Sequence, residues 1–334
     1  MAKSTVIACG AYIPYLRLAR QEYVSALGGC SADLQEKAVP DIDEDVLTMA
    51  VAAARNALAG VDPGRIGVLV LASTSFPCQE KFMAGTLVEA LGLPSDVLTG
   101  HFGHSILAGA EAFLASPGLL DLTDRPCALV VIADAPAATG ELEQAAGGGA
   151  CAFVLARQGA GLELEGAAAY AAEYPGLRYR LPGDIAVRDI GVPAYAAAAA
   201  REVSSAALGG LLQKLGAKPS DYGQAVLPQS GAKAYLNQAR QLGFSAQQAE
   251  PGLIYSLVGD CGAATPFLGL CRVLEQLDVG QRILLLTSAP GSGSCALSFK
   301  LTGPLLPPAW SVNALLERKK YLSYVQYLRL KGIV

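Results

Sequence analysis

The chain is short of charge. Of its 334 residues, 25 are basic and 29 acidic, 16% in all against about a quarter in an ordinary globular protein. A surface this poor in charge implies a deep core, a subunit interface or both, so an oligomer is expected. With a net charge of −4 and no stripe of Lys or Arg, nucleic acid is not expected as a partner. Histidine is scarcer still. His101 and His104 are the whole supply, which excludes a histidine-rich metal site. Cys9, Cys30, Cys78, Cys127, Cys151, Cys261, Cys271 and Cys295 include no Cys-x-x-Cys pair and mostly sit in apolar runs. Buried, reduced cytoplasmic thiols are therefore expected in place of structural zinc or a disulfide framework. A membrane span is lacking too: the longest uncharged stretch, between Arg282 and Lys300, is broken by Pro290, Gly291 and Gly293. Lys3 precedes only a short apolar run ending at Tyr12-Ile13-Pro14, so no secretory leader is expected.

What is present is a duplication. Cys127-Ala-Leu-Val-Val-Ile-Ala-Asp-Ala-Pro136 leads through Gly147-Gly-Gly149 into Ala150–Ala156, and Arg282–Pro290 leads through Gly291-Ser-Gly293 into Ser294–Phe299. Both read as buried strand, glycine turn, buried strand. Upstream lie two strand-to-helix units, Val97–Ser105 with a helix to about Leu114, and Leu253–Gly259 with a helix to about Glu275. Further upstream, helix Asp43–Leu58 precedes strand Ile66–Ala72, as helix Ala196–Leu215 precedes Tyr222–Leu227. Asp41 or Asp43 is the expected cap of the first helix. Strands apolar at nearly every position, alternating with helices, imply sheets covered on both faces. The reading is an α/β protein of two like halves, 1–165 and 166–334, stacked as helix, sheet, helix, sheet, helix. Ligands gather where strand ends meet helix starts, which selects 72–81, 99–105, 226–233 and 258–265.

Five stretches carry a family resemblance: Gly10-Ala-Tyr-Ile-Pro14; Glu36-Lys-Ala-Val39 with Asp43-Glu-Asp45 and Thr48-Met-Ala50; Val88-Glu-Ala-Leu-Gly92; Gly259–Leu270; and Arg318-Lys-Lys-Tyr-Leu-Ser-Tyr324. In order along nearly the whole chain, they resemble the thiolase superfamily, specifically the archaeal-type 3-hydroxy-3-methylglutaryl-CoA synthases, with kinship to ketoacyl synthase III. The resemblance implies a thiolase fold, the duplicated αβαβα sandwich, and acyl-CoA as substrate or ligand with no covalently bound cofactor.

It also implies a set of catalytic groups that this chain replaces. Where the family has an acyl-accepting Cys at a helix start, the turn reads His101-Phe-Gly-His-Ser105, with Ser105, or His104 after a one-residue shift, at that position; a serine hydroxyl needs a general base. Leu227 takes the place of the family's His and Thr74 that of its Glu. Asp260 replaces the Asn that donates to the thioester oxygen, and a carboxylate there repels a developing oxyanion. The expectation drawn from these four substitutions is a non-catalytic subunit paired with an active homologue in a heteromeric acyltransferase. The alternative is an active acyltransferase working through Ser105, or without a covalent intermediate. A third reading is a scaffold that binds acyl-CoA without reaction.

Other features are read more plainly. His101 and Ser105 suit helix capping. Cys78 and Glu80 are loop residues, and Cys261 a buried structural thiol beside Asp260. The glycine turns lack the Lys-Ser/Thr of a nucleotide loop. Ala196–Ala200 suits close helix packing, and the basic, aromatic tail Arg318–Lys331 suits docking: in the related family it packs on the body and meets a small zinc/OB-type protein. Specificity is assigned to the Gly166–Val192 insertion with Tyr170, Tyr174, Arg178, Tyr179 and Arg180.

Overall fold

The computed structural model describes residues 4–333, so Lys3 lies outside the described residues. The chain runs β1 (Thr5–Tyr12), β2 (Leu16–Ala19), α1 (Arg20–Leu27), β3 (Glu36–Val39), α2 (Val46–Ala57), β4 (Ile66–Ala72), α3 (Met83–Leu91), β5 (Leu98–Phe102), α4 (Ala108–Leu120), β6 (Cys127–Asp134), α5 (Gly140–Ala145) and β7 (Gly149–Ala156). It continues β8 (Leu162–Ala171), α6 (Pro193–Leu215), β9 (Gln224–Val226), α7 (Ala232–Gln241), α8 (Ala246–Ala249), α9 (Tyr255–Val258), α10 (Thr265–Leu274), β10 (Arg282–Ala289), β11 (Gly293–Leu301), α11 (Val312–Glu317), β12 (Lys320–Tyr321) and α12 (Tyr324–Leu330).

The main sheet has the order β5-β4-β6-β7-β1-β8-β11-β10-β9. Outward from the centre each half repeats one pattern: first strand, a hairpin of two, then a parallel strand, with β5 extra on the first side. The halves meet through a ladder of two residue pairs, Thr5 with Glu163 and Val6 with Leu162. The 165/166 division lies inside β8.

Alternation along the strands builds the layers, because successive side chains point to opposite faces. Val68, Val70 and Ala72 of β4, with Ile283 and Leu285 of β10, face a shared central core that holds α4 and α10. Leu69 and Leu71 face outward under α2 and α3. Leu284 and Leu286 face the opposite outer layer, under α6 and α7. The result is the five-layer αβαβα arrangement of the thiolase fold. Phe113, Phe153, Phe267 and Phe299 interlock at its centre. Gly109 lets α4 and α10 approach, since a Cβ there would lie 2.8 Å from the Phe267 ring.

Two details differ from the sequence reading. The α2 cap is Asp45, whose side chain accepts from the Thr48 N–H in a capping box, in place of Asp41 or Asp43. Leu253–Gly259 is no strand: it follows a 3-10 turn at Glu250–Gly252 and forms α9, because the Gln229 amide oxygen accepts from the Ile254 and Tyr255 N–H groups that a strand would offer to a neighbour. The C-terminal tail folds back as β12 beside β2 and as α12 on α1, where the Tyr23 and Tyr324 rings lie 5.5 Å apart.

Candidate active site

Inner strand ends, the start of α10 and the 172–192 segment enclose a chamber of about 490 Å³. Ala196, Ala197 and Ala200 of α6 give it an apolar stretch of wall, and Ile106, Pro228 and Asp260 also line it. Among the described residues, the lining includes no cysteine and no histidine.

Asp260 is the carboxylate that the sequence singled out and that the fold delivers to this chamber. Its Oδ2 accepts from Arg178 Nη1 at 2.7 Å and its Oδ1 from the Gly262 N–H at 2.9 Å. Burial, the largest influence on Arg178, works against its charge, but Asp260 with Asp134 and Asp189 outweighs it and raises the guanidinium's pKa. Arg178 sits at φ 35, in the left-handed region that side chains avoid, which marks a position held by its surroundings. Sequence reasoning placed this arginine on an exposed specificity loop; the structure brings it, three-quarters or more buried, against Asp260. The repulsion expected of Asp260 toward a developing oxyanion is thereby offset by an adjacent cation.

Behind this pair lies a carboxylate that the sequence reading missed. Asp134 ends the otherwise apolar strand β6 and is fully buried. It accepts from the Ser73, Thr74 and Ser75 hydroxyls, from the Thr74 N–H and from the Ala263 N–H at 2.9 Å. Burial raises its pKa in spite of these donors. The one available signal was a lone acid at the carboxyl end of an otherwise apolar parallel strand.

The remaining candidates disperse. Thr74 works as a donor to Asp134, at 2.8 Å through its hydroxyl. Leu227 is fully buried among the outer core residues of the second half, and the chamber is met by Pro228 and Gln229 just beyond it. Ser105 Oγ accepts from the Leu107 N–H at 3.2 Å at the entrance to α4, while the next residue, Ile106, faces the chamber. His104 is exposed at φ 67. His101 caps a different helix from the one expected: its Nε2 accepts from the Ala84 N–H at the start of α3, between Phe76 and Phe82, and burial lowers its pKa. Cys78 packs against the outer core, Glu80 is exposed, and Cys261 is wholly buried with its thiol pushed up by burial.

A duplicated five-layer sandwich with its chamber at inner strand ends defines a protein of the thiolase fold class. Solved structures agree in fold: a curacin-pathway HMG synthase in complex with an acetyl donor ACP matches with a TM-score of 0.86 at 20% identity, covering 98% of this chain and 88% of that one. MvaS in complex with 3-hydroxy-3-methylglutaryl coenzyme A matches at 0.85 and 20%, covering 99% and 92%. No family model matches. Full-length relatives are more specific. The hydroxymethylglutaryl-CoA synthase of Pyrobaculum neutrophilum is 34% identical over 100% of this chain and 99% of its own. Those of Caldivirga maquilingensis and Methanosarcina mazei are 32% and 33% identical over 98% of this chain and 97% of theirs. The chain belongs to the hydroxymethylglutaryl-CoA synthase family. This corrects the expectation of a non-catalytic subunit in a heteromer: relatives matched end to end are named as the synthase itself, and an Arg178–Asp260 ion pair faces the chamber.

Proposed function

We propose that this chain is an active acyl-CoA-dependent condensing enzyme that works without a thioester to its own side chains. The observation that carries the reading is the Arg178–Asp260 pair opening into the chamber of a chain with this ancestry. Enolate formation needs a proton acceptor and a donor for the thioester oxygen, and the pair supplies both. Asp260 takes a proton from the α-carbon of a bound acyl thioester as Arg178, with N–H groups beyond the one given to Asp260, donates to the carbonyl oxygen gaining charge. The enolate carbon attacks the ketone carbonyl carbon of a second, 3-ketoacyl substrate; the C–C bond forms as the C=O π pair moves to oxygen, and the resulting alkoxide takes the proton back from Asp260, with no leaving group expelled. Direct transfer of this kind suits a wall that offers Ile106 where a covalent route would need a nucleophile. Acyl-CoA is the thioester favoured by the CoA- and HMG-CoA-bound neighbours. Eight free thiols support a cytoplasmic setting.

The test is α-deuterium incorporation into a panel of acyl-CoAs in D₂O, with intact-mass analysis of the protein. Wild type is expected to exchange, Asp260→Asn to lose about a hundredfold or more, and Ser105→Ala to stay within about twofold. Unchanged exchange in Asp260→Asn, or an acyl adduct on Ser105 or a cysteine, overturns the mechanism.

A further inference from the structure

Away from the chamber, on the far side of the Asp260 turn, the structure buries a lysine. Lys37 of β3 is 1% exposed. Its Nζ donates to Glu143 Oε1 and to the Glu143 carbonyl oxygen, both at 2.6 Å, and to the Tyr327 hydroxyl at 3.2 Å. The Tyr23 hydroxyl donates to the same carboxylate at 2.7 Å and the Tyr327 hydroxyl makes a further short bond to it. The ammonium lies 4.7 Å from the Tyr327 ring centre and 5.3 Å from that of Tyr23. One carboxylate on α5 therefore gathers β3, α1 and α12. A cation at the carbonyl end of a short helix also complements its dipole.

The same carbonyl end of that helix holds Asp260. The Asp260 N–H donates to the Ala145 carbonyl at 2.7 Å and the Gly147 N–H to the Asp260 carbonyl at 2.9 Å. Gly148 N–H returns to the carbonyl of Ala38, next to Lys37. Gly259, just before Asp260, has φ 82, and a Cβ there would lie 2.5 Å from the Ala145 oxygen and 3.1 Å from Lys37 Cβ. Lys37 thus packs directly behind the Asp260 backbone, while Leu142 and Ala145, either side of Glu143, line the chamber.

From this unbroken run of contacts we infer that Lys37 and Glu143, clamped by Tyr327 of the C-terminal helix, are positioning residues that set the Asp260 carboxylate in the chamber. The inference rests on the role proposed for Asp260, but the contacts do not. An aspartate that must meet both an α-proton and Arg178 tolerates little backbone drift, since small misplacements of a reacting group cost large factors in rate. The tail then serves the reaction without touching a substrate.

The experiment compares wild type, Glu143→Gln, Lys37→Arg and Tyr327→Phe by amide hydrogen exchange and by acyl-CoA α-proton exchange. Glu143→Gln is expected to raise amide exchange at Gly147 and Asp260 about tenfold, and to cut kcat about tenfold with KM little changed. Lys37→Arg, which keeps the cation, retains most of both, and Tyr327→Phe, which keeps the ring, falls between. Unchanged protection at Gly147 and Asp260 in a folded Glu143→Gln protein overturns the inference, as does a loss confined to KM. Should wild type fail to exchange any acyl-CoA α-proton, the proposed reaction falls, while the amide exchange still decides the coupling.

Discussion

Asp134 draws its donors from two places, the Ser73–Ser75 end of β4 and the turn that follows Asp260, so its carboxylate ties the rim of one sheet half to the start of α10. Thr74 belongs to that tie. A hydrogen bond to an acid group in such a place contributes about 1.5–3 kcal/mol, so Thr74→Val, similar in shape and lacking the hydroxyl, is expected to lower unfolding stability by about that much in urea titration. A stability within error of wild type would deny Thr74 this role. At this scale the sequence reading and the chamber differ by single residues: Asp260 lines the chamber, whereas Ser105 and Leu227 are each next to a residue that does. Neighbouring side chains at a helix start or a strand end point in different directions, so one step along the chain separates chamber from cap or core. Arg178 was legible as a loop residue that could meet a ligand, but its pairing with Asp260 was not, because the two lie 82 positions apart and no local pattern joins them.

Elements were legible where periodicity was strong. Ile66–Ala72 is a strand with the expected bounds, and α6 begins three residues before Ala196. They were misread where a short apolar run suits either helix or strand, as in Leu253–Gly259, which a side-chain amide diverts. Packing of the tail on the body was expected, but the union of β3, α5 and α12 around Lys37 was not, since no local pattern joins Lys37 to Glu143 or Tyr327. It has a pH consequence. Burial pulls the Lys37 pKa from 10.5 to about 8, opposed by Glu143, with Lys331 adding to the fall and Cys30 countering it; Tyr23 and Tyr327 also face the ammonium. Between about 8 and 10.5 the folded chain has released a proton that the unfolded chain keeps, so this group adds stability as pH rises. In the folded chain the ion pair with Glu143 loses its cation as pH rises through about 8. Exchange activity is therefore expected to fall above about pH 8 with no matching fall in thermal midpoint from this group, and Lys37→Arg should remove the falling limb. A limb unchanged in Lys37→Arg would assign it to another residue.

At the scale of the whole molecule, the duplication and the layered architecture were readable because two similar stretches of chain repeat a strand pattern buried on both faces. The enclosure of the chamber was not, because it depends on how the 172–192 segment crosses from one half to the other, as where the Val187 N–H meets the Ala137 carbonyl at 2.9 Å. The distribution of sulfur is also a property of the whole. Burial pushes up the thiols of Cys261 and Cys271, and Cys9 follows through its hydrogen bond to Cys271 and its own burial. Peroxide attacks thiolates, and an enzyme dependent on one stops when it is oxidised. A chamber lined without sulfur frees the reaction from that dependence. Hydrogen peroxide treatment that oxidises the half-exposed Cys30 and Cys78 is expected to leave α-proton exchange intact, and inactivation that tracks cysteine oxidation would refute this. Under the proposed reaction, carbon–carbon bond formation continues at an oxidant load that silences a thiol-dependent enzyme.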